Sequence, residues 1–372
     1  MDPPEGKEVA EGVPPPCSPP TAGVGAEGEG ATAPPGKSEG VCKGSDASSS
    51  DEEGNSLHAQ RLGVDIPLDP NDEELQFQAA RIFKIENLNN FKKLKVITVI
   101  EGLEEQGPTL EQLELYQNHI KRIDNIQNLT NLRVLDLSFN KIRRIEHLET
   151  LVNLRELFLS SNKIAKIEGL STLKELRTLE LGSNRIRLVE GIDSLTNLNE
   201  LWLGRNKITR MELPRLPQLV RVSLQSNRIE EWSPELFENC PKLSELYLSH
   251  NNLPSPPVDI RRLAELTVLD LCCNRIDDVE AIASLSQLHD LWLNDNKLAT
   301  VEKIRCLQQL AALDTLYLER NPLQASLGPG YRQAVTDLLP RLSQLDALSI
   351  NSSVHIIQHK GDGSQVKPIL KR

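Results

Sequence analysis

The chain has 372 residues, with 42 Lys and Arg against 53 Asp and Glu, a formal net charge of −11 and only 3% aromatic residues. That acidic balance argues against a general binder of nucleic acid or anionic membranes. No apolar run is long enough to span a bilayer, and the acidic start MDPPEGKEVAEG has no stretch that reads as a secretory signal.

Residues 1–75 are rich in Pro, Gly, Ser and Glu and poor in large apolar residues, so they are expected to form a disordered arm. Within it, Ser48, Ser49 and Ser50 precede Asp51-Glu52-Glu53 and read as acid-directed phosphorylation sites. An array is expected over 76–325. It enters through a half-repeat, RIFKIENL, and an irregular first repeat whose register between 97 and 109 is the least defined.

The frame L-x-x-L-x-L-x-x-N then returns in LRVLDLSFN (Leu132–Asn140), LRELFLSSN (Leu154–Asn162), LRTLELGSN (Leu176–Asn184) and LNELWLGRN (Leu198–Asn206). Its Asn recurs at Asn118, Asn140, Asn162, Asn184, Asn206, Asn227, Asn251, Asn274, Asn296 and Asn321. This is leucine-rich-repeat spacing, with one short strand per repeat and about 10–11 repeats in all. Leu135 and Leu137 should face a core while Asp136 faces out. The Asn amide has both donor and acceptor groups to satisfy the backbone where the chain leaves the strand. The expected class is an α/β solenoid: a leucine-rich-repeat horseshoe with a parallel concave sheet, short convex helices or 3₁₀ turns, and a C-terminal cap helix.

Ser233-Pro234-Glu235 has the pattern of a helix start. Pro-rich Ser255–Pro257 cannot be helical. At the far end Tyr331, Val335, Leu338 and Leu339 share one helical face and predict a cap over 326–350, followed by a flexible tail, 351–372.

No phosphate-binding loop, HExxH or G-x-S-x-G is present, and no pair among the seven His has metal-ligand spacing. No enzymatic activity, metal or cofactor is therefore expected. The six Cys lack CxxC pairs and flanking clusters, which fits free thiols and a place in the nucleus and cytoplasm.

The strand midpoint, four residues before each Asn, carries the functional signal. It holds Glu114, Asp136, Phe158, Glu180, Trp202, Ser223, Tyr247, Asp270, Trp292 and Tyr317. At 3% aromatic content, ten random positions hold fewer than one aromatic, and this column holds five. Packing inside a repeat does not explain rings that face away from its leucines. Exposed aromatics mark interaction sites, and Trp and Tyr dominate binding hot spots. One register earlier stand Glu156, Glu200, Glu245 and Asp290. The column therefore predicts an aromatic and acidic face that grips a protein bearing basic or amphipathic helices. Stacking of neighbouring rings along the ladder is compatible with that role. Aromatic platforms also stack RNA bases, but the interleaved carboxylates repel phosphate, so no direct nucleic-acid contact is expected.

The repeats N-x-I-x-x-I-E-x-L and L-x-x-L-x-L-x-x-N, with LGSNRIR (Leu181–Arg187), ELYLSHN (Glu245–Asn251), YLERNPLQ (Tyr317–Gln324) and the cap NPL…YRxxVxxxLPxLxxLD, resemble the protein phosphatase 1 regulatory subunit 7 family. The resemblance covers roughly residues 81–347. It implies a non-enzymatic regulator that docks the phosphatase catalytic subunit on its concave face, is monomeric on its own, and has a further inhibitor subunit as a potential third member. Position by position, it implies contacts at Asp136, Phe158, Glu180, Asp270, Trp292 and Tyr317. Trp202 stands where the family has Phe, and Asp290 where it has Glu. No basic-Val-x-Phe docking motif is present; RVSL (Arg221–Leu224) comes closest and lacks the aromatic. Spliceosomal and ciliary leucine-rich-repeat proteins carry similar caps. A structural ribonucleoprotein subunit and a ciliary or cytoskeletal adaptor are therefore the alternative expectations.

Overall fold

The computed structural model describes residues 110–350 apart from Asn125, and the backbone of three short strands before them. The expected arm other than Gln60–Leu62 (with Ser48, Ser49 and Ser50), the segment 98–109 and the tail 351–372 lie outside the described residues. Strands β1 (Gln60–Leu62) and β2 (Ile82–Ile85) pair in parallel as a two-stranded sheet. β1 falls inside the stretch read from the sequence as arm.

The main sheet follows chain order without a crossover, from β3 (Val96–Ile97) to β15 (Leu348–Ser349). Between them run β4 (Gln112–Glu114), β5 (Val134–Asp136), β6 (Glu156–Phe158), β7 (Thr178–Glu180), β8 (Glu200–Trp202) and β9 (Arg221–Ser223). Then come β10 (Glu245–Tyr247), β11 (Val268–Asp270), β12 (Asp290–Trp292), β13 (Thr315–Tyr317) and β14 (Gln344–Leu345). Neighbours from β3 to β14 are parallel, and β15 turns back antiparallel on β14. The pairing is in register, Leu135 against Leu157 and Leu157 against Leu179. One leucine per strand thus joins a continuous column, and Leu135, Leu137, Leu157, Leu159 and Leu179 are fully buried. No single repeat could cover these side chains alone, so each rung is stabilised by its neighbours.

The ladder Asn fastens rung to rung. Asn162 Nδ2 donates to Leu137 O of the preceding repeat (2.9 Å) and to Leu159 O of its own (3.0 Å), while its Oδ1 accepts from Ile142 N (2.9 Å). The same set recurs at Asn140, Asn184 and Asn206. The residue before each of the ten ladder Asn, from Gln117 to Arg320, has φ of 54–57°, and none is glycine. That left-handed backbone costs an L residue roughly 1–2 kcal/mol. It persists because the N–H is aimed at the next rung, as in Phe139 N to Ser160 O and Ser183 N to Gly204 O, both 2.8 Å.

On the opposite side the early repeats return through turns. Helix α1 (Pro234–Asn239) starts where Ser233-Pro234 places it, and 3₁₀ segments follow at Val258–Arg262, Glu280–Ser284 and Val301–Gln309. Helices α2 (Pro322–Leu327) and α3 (Tyr331–Leu338) close the end of the core, with Tyr331 and Val335 buried as their spacing predicts. Asp346, one residue past the Leu316–Leu345 pair, closes the edge of the last rung: its Oδ1 accepts from Leu318 N (2.8 Å) and Glu319 N (3.0 Å), and Tyr331 Oη donates to its Oδ2 (3.1 Å). Cys240, Cys272, Cys273 and Cys306 are free thiols. Burial pushes Cys240 up to about 12 and Cys306 up to about 11, so neither is a reactive thiolate at neutral pH.

Candidate functional site

Because the sheet is in register, the residue at the end of each strand falls into one column on the face turned away from the leucines. Asp136, Phe158, Glu180, Trp202, Ser223, Tyr247, Asp270, Trp292 and Tyr317 follow one another rung by rung. The structure thus brings the expected residues onto one surface, and divides them into two parts.

The C-terminal part is a row of rings. Trp202 stacks on Tyr247 with centroids 6.3 Å apart and planes at 19°. Tyr247 meets Trp292 at 6.1 Å, and Trp292 meets Tyr317 edge-on at 6.0 Å. Trp202 and Tyr247 are two strands apart, as are Tyr247 and Trp292, and strands lie about 4.8 Å from their neighbours. The rings must therefore lean together over the small residue between them. Ser223 and Asp270 are those residues, and each is only 1% exposed.

This corrects one expectation. Asp270 is not an open contact on the face: it lies beneath Tyr247 and Trp292, with its Oδ1 accepting from Cys272 N (3.0 Å). Burial raises its pKa, against the opposing effects of the Ser249 hydroxyl and of that backbone hydrogen bond. A carboxyl that binds its proton more tightly when folded favours the fold at low pH, and this contribution is lost as pH rises through and above the ordinary carboxylate range. Asp270→Asn keeps the acceptor and removes the buried charge. The variant is expected to melt about 2–4 °C higher than wild type at pH 7, with the difference fading towards pH ~4; thermal denaturation across pH checks it.

The N-terminal part is acidic. Asp136 is half-buried, and its Oδ1 accepts from Ser138 N (2.8 Å), the same turn that Asp270 makes. Glu180 accepts from Ser160 Oγ (2.5 Å). Phe158 stands half-buried between Asp136 and Glu180, outside the ring row. Asp290 lies one register back, half-buried and with no ion pair among the described residues.

A charged knot flanks the ring row, and its centre, Arg221, is absent from the sequence-based site. Arg221 forks onto Glu245 through Nε (2.6 Å) and Nη2 (2.7 Å), and reaches Glu200 through Nη1 (2.9 Å). Its guanidinium lies 5.7 Å from the Trp202 ring centroid, whose Nε1 donates to Glu200 (3.2 Å), while Tyr247 Oη donates to Glu245 (2.8 Å). Burial pushes the Glu245 carboxyl up, but the bonds from Arg221 and Tyr247 together outweigh it and hold it below the usual range. The hydrogen bond to Glu245 raises the pKa of Arg221. The rings are thus preorganised by charge-assisted bonds on their flank. The signal was the run Glu200, Arg221, Glu245 at one strand position, which places opposite charges on successive rungs.

Among the described residues no three His, Cys, Asp or Glu side chains converge as a metal site, and no helix is long and apolar enough to cross a membrane.

Family models for leucine-rich repeats match this chain over 108–150, 152–195 and 174–215, and over 217–266 and 264–323. Protein phosphatase 1 regulatory subunit SDS22 of Schizosaccharomyces pombe is 40% identical over 70 residues, 18% of this chain and 21% of that protein. Human cilia- and flagella-associated protein 410 is 30% identical over 86 residues, 23% of this chain and 34% of that protein. Both matches therefore span well under half of the relative's length. Among solved structures, an internalin from Listeria monocytogenes superposes with a TM-score of 0.62 at 26% identity, covering 71% of this chain and 77% of that one. Repeat period, sheet topology, family models and structural neighbour agree: the chain is a leucine-rich-repeat protein, with the solenoid fold of a protein-interaction scaffold.

Proposed function

We propose that this scaffold is a non-enzymatic regulatory subunit that binds the catalytic subunit of protein phosphatase 1 through the aromatic and acidic face, and controls its activity, assembly or location in nucleus and cytoplasm. The observation that carries the reading is the ring row Trp202–Tyr247–Trp292–Tyr317, continued by Asp136, Phe158 and Glu180 on the same column. Similarity to a phosphatase 1 regulatory subunit over 18% of the chain supports this choice of partner. Rings held by one another and by Arg221 lose little freedom on docking, which lowers the cost of association. The carboxylates set the sign of the surface they meet, which must be basic.

Calorimetric titration of the full chain with the phosphatase catalytic subunit tests the reading, and absence of wild-type binding overturns it. Asp136→Asn is the informative acidic variant, because it retains the acceptor for Ser138 N while removing the charge. It is expected to weaken binding about tenfold, or ~1.4 kcal/mol, with an unchanged melting temperature.

The match to cilia- and flagella-associated protein 410 favours a second reading, an adaptor that uses the same face for a ciliary or cytoskeletal protein. It takes precedence if the phosphatase fails to bind the wild-type chain.

A further inference from the structure

The chain leaves each strand through the ladder Asn, and the residue after that Asn is basic on five successive rungs: Lys141, Lys163, Arg185, Lys207 and Arg228. The backbone sets them in line. Lys141 N donates to Ile120 O, Lys163 N to Ile142 O, Arg185 N to Ile164 O, Lys207 N to Ile186 O and Arg228 N to Ile208 O, each at 2.8 Å. One rung separates each from the next, so the five cations form a track about 20 Å long. Their neighbours Ile142, Ile164, Ile186 and Ile208 are fully buried, whereas Arg185 and Arg228 are exposed and the three lysines half-buried. Two residues further on, Lys121, Arg143 and Arg187 add a second exposed row.

None of these eight side chains makes an ion pair among the described residues. The row beyond does: Arg122 pairs with Glu146, Lys166 with Glu168 and Arg210 with Glu212. Like charges one rung apart repel, and in a chain of net charge −11 they are not the by-product of a basic composition.

We propose that this track binds an extended acidic polypeptide segment of a partner protein. About six residues of extended chain cover its length. Acidic rows bound it on both sides, with Asp136, Glu180 and Glu200 on the sheet face and Glu146, Glu168, Glu190 and Glu212 beyond the second basic row. A single strand of carboxylates fits between them. A nucleic-acid duplex, broader than the track and charged all round, sets phosphates against both rows. The surface is distinct from the ring row, so the proposal does not depend on the phosphatase reading.

The test is fluorescence anisotropy of the full chain with a labelled peptide of about eight glutamates, at low salt and then at rising salt. Wild type is expected to bind, with affinity falling as salt screens the track. The combined variant Lys163→Glu, Arg185→Glu, Lys207→Glu is expected to bind at least about tenfold more weakly, and the Gln versions at the same positions to fall in between. The exposed cations elsewhere, changed as Arg261→Glu with Arg341→Glu, should leave binding within about twofold. Melting curves show whether each variant is folded. The proposal is overturned if wild type does not bind the peptide, or if both track variants, folded, bind as wild type does. It is also overturned if a single-stranded oligonucleotide of similar length binds more than about tenfold tighter, which assigns the track to nucleic acid instead.

Discussion

Truncation of Trp292 to Ala is expected to weaken binding to the phosphatase catalytic subunit by about 2 kcal/mol or more, roughly 30-fold. Trp292 touches rings on both sides, Tyr247 at 6.1 Å and Tyr317 at 6.0 Å, so it is the inner member of the row's C-terminal half. Hot spots concentrate at such well-packed positions rather than at rims. Its indole N–H is enclosed without an acceptor among the described residues. The fold should survive, because the ring lies on the sheet face and no leucine of the core loses its cover. Truncation also uncovers Asp270, and water at that carboxylate relieves part of its desolvation. The melting temperature at pH 7 should therefore fall by less than a ring of this size ordinarily implies. Trp292→Phe should retain part of the affinity. Val258→Ser, at a position 65% exposed on a 3₁₀ segment away from the column, should match wild type. Calorimetry on the folded variants decides the matter. Affinities of Trp292→Ala and Trp202→Ala within about twofold of wild type would show that the ring row is structural stacking alone.

The rungs were legible because period and chemistry agree at every repeat: two leucines alternate with one outward residue, and the Asn that follows satisfies a known set of backbone groups. The cap was legible for a similar reason, since the spacing of Tyr331, Val335, Leu338 and Leu339 calls for a core beneath it; Tyr331 and Val335 are buried within α3, and Leu339 is buried just past its end. Asp270 was misplaced because a period of two assigns a residue to a face and is silent about what leans over it. The sizes along the column held the missing information. Trp202–Ser223–Tyr247 and Tyr247–Asp270–Trp292 each read large, small, large, and rings flanking a small residue close over it. Arg221 was overlooked because it was weighed only as part of a docking tetrapeptide, although Glu200 and Glu245 flank it one rung away on each side. The left-handed residue before each ladder Asn had no glycine to mark it. There the tertiary hydrogen bond between rungs, not local propensity, determines the backbone.

That dominance of rung-to-rung bonds makes the ladder Asn the most sensitive position for stability. Asn184 Nδ2 donates to Leu159 O (2.9 Å), Leu181 O (3.0 Å) and Gly182 O (3.1 Å), and its Oδ1 accepts from Ile164 N (3.0 Å). Asn184→Ala removes the partner of a buried N–H on one rung and of carbonyls on two. Each buried group left unsatisfied costs about 1–3 kcal/mol, so the expected loss is on the order of 3 kcal/mol or more. Asn184→Asp keeps the acceptor but turns the donor into a buried carboxylate oxygen facing carbonyls, and should be no better at neutral pH. In a solenoid the damage is confined to nearest neighbours. A weakened rung in mid-array should therefore split the unfolding transition, whereas Asn321→Ala, beside the cap, should mainly fray the C-terminal end. Chemical denaturation followed by Trp fluorescence separates the cases, because Trp202, Trp232 and Trp292 all lie on the C-terminal side of Asn184. For Asn184→Ala, fluorescence should then report the C-terminal block while far-UV circular dichroism reports both, and the two midpoints should diverge. A single coincident transition within about 1 kcal/mol of wild type would mean that water replaces the amide at little cost, and that the leucine column rather than the Asn ladder fixes one rung to the next.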